Sequence, residues 1–178
     1  MSLSSLPIAN VKNQWLLQHV DVKYPTKESL EGKALYEQRI SSVEYDKWDS
    51  SASYDKPLFD VENVYRVDFH RLTVMFSLLQ SSQWKGEKQQ ANVLEFFTQI
   101  ILSPPCELYI AFLDGEPSAA AIVTESDDTL LISDIVVTDK NNTIAEGQDA
   151  LRMSFVTHLI GLTNEKTESD RAVYIELK

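Results

Sequence analysis

The sequence predicts an α/β domain, and three observations carry that prediction. Between Leu108 and Thr124 two apolar runs flank Asp114-Gly115, a dipeptide that folds one strand back on another in a hairpin. A third apolar strand, Thr129 to Val137, runs into a polar loop and then an amphipathic helix from about Ala145. Ahead of the hairpin, two stretches carry apolar residues at helical spacing.

Taken in order, residues 1–13 read as a loose leader, and Gln14–Val22 mixes bulky apolar and polar residues as a strand does. Ala34–Ile40 favours helix by propensity and Val43–Trp48 favours strand. Asp49–Pro57 is polar, Ser-rich and ends on proline, which marks a boundary or a surface loop. Residues 1–60 are therefore read as an N-terminal extension able to complete a sheet, and 61–178 as the main domain.

In that domain Val64–Val67 is a short strand, and Asp68 is placed to cap the next helix through its carboxylate. That helix shows Phe69, Leu72, Phe76 and Leu79 on one face. Ser81–Gln90 is a polar break. A second helix presents Leu94, Phe97 and Ile101 and stops before Pro104-Pro105. Strands follow at Leu108–Leu113, Ser118–Thr124 and Thr129–Val137. The last helix carries Leu151, Phe155 and Leu159, and Thr163–Arg171 is a polar connection to a final strand, Ala172–Leu177.

With 43% hydrophobic and 24% charged residues, the chain of 178 has the makings of a packed core. A net charge of −11 argues against a nucleic acid or an anionic membrane surface as partner. The single cysteine, Cys106, cannot form an internal disulfide, and no apolar run reaches the length of a membrane span. The N-terminus lacks the pattern of a signal peptide, so a cytoplasmic protein is expected. His19, His70 and His158 share no metal-ligand spacing, so no metal is expected.

The order strand, helix, helix, strand, strand, strand, helix, strand from Val64 onward resembles the GNAT superfamily of acyl-CoA N-acyltransferases. The likeness is carried by the hairpin LDGEPSAAAIV, the long strand ending in Val136-Val137, and the loop that opens the last helix. The resemblance implies a mixed, mostly antiparallel sheet flanked by helices. Counted on from Val137, the family's pyrophosphate pattern falls on Asn142-Thr143-Ile144-Ala145-Glu146-Gly147. Gly147 matches its last position. Asn142 stands where Gln or Arg is usual, and Ala145 where the first Gly is usual. Asp139 and Glu146 place carboxylates close to the anion seat, where Lys140 is the nearby cation.

Carried over residue by residue, the resemblance implies acetyl-CoA as cofactor. It would be held by the backbone around Val136 and Val137 and by Lys140, Asn142, Thr143, Ala145 and Gly147. Asp134 would be the general base and Tyr174 the proton donor to the leaving thiolate. The expected reaction moves an acetyl group to an amine, on a small molecule or a lysine. The other readings are a non-catalytic interaction or dimerisation module and an acyl-CoA-binding regulatory domain. The ordinary alternative for Asp134 is a salt bridge, and for Tyr174 an interior aromatic. The family continues beyond the last strand with a helix and two strands. Here the sheet would be closed by the N-terminal segments or by a second subunit in a homodimer, or the module is incomplete.

Overall fold

The computed structural model describes residues 6–166 and 170–177. Two helices open the chain, α1 (Pro7–Leu17) and α2 (Lys27–Ile40), followed by a short strand β1 (Tyr45–Lys47). Then come β2 (Val64–Arg66), α3 (His70–Ser81), α4 (Glu87–Thr98), β3 (Cys106–Leu113), β4 (Glu116–Glu125), β5 (Thr129–Val137), α5 (Gly147–Lys166) and β6 (Ala172–Glu176). The six strands form one open sheet in the order β1-β6-β5-β4-β3-β2. Only the β5–β6 pair is parallel, because α5 crosses between them. This is the mixed, mostly antiparallel α/β sheet that the sequence predicts.

The hairpin forms as expected. Asp114 and Gly115 both have positive φ, 50° and 79°, the backbone of a tight hairpin turn. Side chains alternate along β3. Leu108 and Ile110 join the core under α1, α2, α3 and α4, while Tyr109 and Ala111 join the core under α5. One face of the sheet therefore carries the four earlier helices and the other carries the last.

The N-terminal region departs from expectation. Gln14–Val22 is not a strand. It is the end of α1, a one-turn 3₁₀ helix at Gln18–Val20 and the residues after it, and most of the expected loose leader is helix as well. Pro7 fits the first turn of a helix, and the buried positions Ile8, Ala9, Lys12, Trp15 and Leu16 recur at helical spacing. β1 then pairs antiparallel with β6, Tyr45 facing Glu176, so β6 is not a sheet edge.

Smaller differences have local causes. Asp68 does not cap α3. Extended Phe69 flanks the helix, and its carbonyl accepts from Leu72 N and Thr73 N. Phe69 itself is exposed, whereas Leu72, Phe76 and Leu79 are buried. In α4 the buried stripe is Val93, Phe96 and Phe97, and Ile101 beyond the helix is exposed. α5 starts at Gly147, whose φ of 87° suits glycine. The polar stretch after Thr163 is α5 as far as Lys166, and 167–169 lie outside the described residues. α2 and α4 approach so closely at Gly32 that a Cβ there would sit 2.0 Å from the Asn92 carbonyl oxygen.

Candidate functional site

β5 and β6 pair from Thr129 and Ala172 to Ile132 and Ile175, and then part. On its other side, β5 pairs Ser133 with Ile122 and Val136 with Ala120, so Asp134 and Ile135 together face Ala121 in a bulge. Asp134 takes a φ of 52° there, a left-handed conformation that Asp tolerates better than most residues. The bulge turns the backbone of β5 away from β6 and aims the Asp134 side chain under α1 and α2.

Side chains fill the parting. Glu176 Oε2 accepts from Asp134 N at 2.7 Å, and Gln80 Nε2 donates to Asp134 O at 2.6 Å. Arg152, reaching down from α5, donates to Ile135 O at 2.9 Å and to Glu176 O at 2.5 Å. One guanidinium thus bridges the two strands where their own ladder stops.

The Asp134 carboxylate is completely buried. Its Oδ1 accepts from Tyr36 OH at 2.6 Å, and its Oδ2 accepts from Ser133 Oγ at 2.8 Å and from Lys12 Nζ at 2.8 Å. Lys12, also fully buried, donates to Tyr36 OH at 2.7 Å. Arg39 donates to Glu176 Oε1 at 2.6 Å, and its Nη1 lies 3.6 Å from Asp134 Oδ1. Burial alone would raise the Asp134 pKa, but Lys12 and Arg39 hold it below the usual carboxylate range. Burial, then the Asp134 charge, pushes the Tyr36 hydroxyl well up. Asp134 is therefore an ionised partner in a hydrogen-bonded ion network.

The loop between β5 and α5 carries a second hydrogen-bonded carboxylate, on the solvent side. Asp139 Oδ1 accepts from Thr143 N at 2.9 Å and Thr143 Oγ1 at 3.0 Å, and Oδ2 accepts from Ile144 N at 2.7 Å. The two backbone bonds hold the Asp139 pKa low. Asn142, at φ 49°, and Gly147 provide the turns. Lys56 forms an ion pair with Glu146. Lys140, Asn142, Thr143 and Ala145 are all exposed.

The remaining sequence candidates are dispersed. Val136 is buried and Val137 half-buried, both paired to β4. Tyr174 is half-buried against Tyr45 and Leu131, ahead of the point where the strands part. Ser154 accepts from Leu58 N at 2.9 Å and so ties down the segment before β2. Burial pushes the Cys106 thiol up to about 11, and its Sγ contacts Thr124 Oγ1. A groove of about 670 Å³, lined by Arg66, Cys106, Glu107 and Lys166 among others, lies where β3 begins and β4 ends. None of its lining belongs to the Asp134 network.

Sequence reasoning singled out Asp134 but not Lys12, Tyr36, Arg39 or Arg152. The available signal was a lysine inside the apolar spacing of residues 8, 9, 15 and 16.

The Thr143 and Ile144 amides, where the resemblance puts a pyrophosphate, already hold the Asp139 carboxylate. A pyrophosphate laid on this loop would have to displace Asp139 from the Thr143 and Ile144 amides. A strand-like pantetheine arm would meet Arg152 and Glu176 at the parting. Among the described residues no group of three His, Cys, Asp or Glu side chains is arranged to hold a metal ion, and no helix is long and apolar enough to cross a membrane.

No protein-family model matches the chain, and no curated protein sequence matches it. Among solved structures it is similar to a functionally unknown conserved protein from Staphylococcus epidermidis ATCC 12228, with TM-score 0.54 and 14% identity over 86% of this chain and 60% of that one. The chain thus spans less than two thirds of that protein's length. A GNAT-family protein from Novosphingobium aromaticivorans DSM 12444, named as a candidate acetyltransferase, aligns with TM-score 0.38 and 13% identity over 70% of this chain and 48% of that one. A likeness that weak carries no argument about chemistry.

Proposed function

We propose that this chain is a GNAT-like scaffold whose acyl-CoA seat is filled by its own side chains, and that it serves as a non-catalytic interaction module. The observation that carries this reading is the Asp139 carboxylate on the Thr143 and Ile144 amides. Those amides lie inside the stretch that would hold a pyrophosphate, and an ionised carboxylate repels a second anion. The Arg152 bridge between Ile135 and Glu176 supports it, because it occupies the edge a pantetheine arm would need. The acetyltransferase reading would also require Asp134 to take a proton from an attacking amine. Its oxygens already accept from Tyr36, Ser133 and Lys12.

Thermal unfolding with millimolar acetyl-CoA tests the reading. A ligand that binds the folded state raises its stability by mass action, so the scaffold reading expects no shift in Tm. A saturable rise would overturn it. If amine-dependent release of thiol accompanied that rise, the chain would be an acetyltransferase, and without it an acyl-CoA-binding regulatory domain.

A further inference from the structure

We infer that the junction of α1 with the sheet is a receptor for a primary ammonium ion, filled in cis by Lys12. The direction of each hydrogen bond defines what the seat accepts. Tyr36 OH spends its proton on Asp134 Oδ1, so toward Lys12 it is only an acceptor. Ser133 Oγ donates to Asp134 Oδ2, and that oxygen too offers only acceptance to Lys12. The seat therefore shows two acceptors and a full negative charge to whatever fills it.

Arg39 sets the geometry without competing for the seat. It is anchored on Glu176 Oε1 at 2.6 Å and approaches Asp134 from the Oδ1 side, which leaves Oδ2 to the ammonium. A neutral alcohol of the same length would lack the charge, and a quaternary ammonium would lack the donors. In a site sealed from water both losses matter. The seat lies beneath α1, so an amine from outside reaches it only where the Lys12 side chain is gone.

This inference goes beyond the scaffold reading and is independent of it. Binding of acetyl-CoA would sink the scaffold and leave the ammonium seat untouched.

Lys12→Ala removes three methylenes and the amine, the outline of n-propylammonium. Thermal unfolding of this variant is followed with n-propylammonium chloride, with 1-propanol, with tetramethylammonium chloride and with sodium chloride at matched ionic strength. The expected result is a saturable rise in Tm with n-propylammonium alone, absent in the parent chain and in Lys12→Met, where the stem still fills the space. Should Lys12→Ala fail to fold alone, n-propylammonium restores its folded circular dichroism. No rise and no refolding would overturn the inference, as would an equal rise with 1-propanol.

Discussion

Lys12 Nζ lies 2.8 Å from Asp134 Oδ2, both side chains fully buried, and this pair fastens the first helix to the centre of the sheet. Removing one member of a buried pair strands the other. We expect Lys12→Met and Asp134→Asn each to cost about 3–5 kcal/mol. The double variant costs less than the sum, because no lone charge remains, and a double-mutant cycle from denaturant unfolding reads the coupling directly. Additive losses would contradict the pairing.

Arg152 is expected to behave as a bridge between strands rather than as a surface cation. Arg152→Ala leaves Ile135 O and Glu176 O without their donor, at a cost of about 1–3 kcal/mol for each buried group left unsatisfied. Arg152→Lys recovers only part of this, since one ammonium does not reproduce the planar fork. Equal stability of the Lys variant and the parent, measured by urea unfolding, would refute the bridging role.

Gly32 tests the close approach of α2 and α4. A Cβ there would meet Asn92 backbone at 2.0 Å and Phe96 Cβ at 2.8 Å, so the helices must separate. Alanine improves helix propensity, yet Gly32→Ala is expected to destabilise by about 1–3 kcal/mol, as overpacking does. A gain in Tm would show that the two helices are less tightly apposed.

Acid sensitivity follows from His19 and His158. Burial lowers both pKa values below the ordinary 6.5, and His19 Nδ1 accepts from Ile101 N. The unfolded chain therefore binds these protons at higher pH than the folded one. This contribution to stability is complete above about pH 6.5 and is lost as pH falls toward the folded values. Tm should decline across this window, and replacing both histidines with glutamine should flatten the decline. The low pKa of Asp139 acts separately, below the ordinary carboxylate value of 3.8.

The elements that sequence made plain are those whose pattern is local. The Asp114-Gly115 turn, the apolar strands around it and the Leu151, Phe155, Leu159 stripe each carry their signal within a few residues. α1 was hidden because Lys12 interrupts its apolar stripe, and a lysine reads as surface until its buried partner is known. Asp134 was conspicuous as an acid in an apolar strand, but its partners come from α1 and α2, far away in sequence. Asp139 reads in the sequence as an unwelcome charge for the phosphate that the resemblance implies. That its carboxylate takes the Thr143 and Ile144 amides depends on loop backbone geometry, which residue types alone do not reveal.

If the chain's own carboxylates and guanidinium occupy the place of an acyl-CoA, added acetyl-CoA finds no seat at this loop. The most direct measurement is the backbone amide NMR spectrum titrated with acetyl-CoA. The resonances of Thr143, Ile144 and Asp134 are expected to stay where they are at millimolar ligand. Saturable shifts centred on Thr143 and Ile144, as Asp139 gives way to a phosphate, would contradict it.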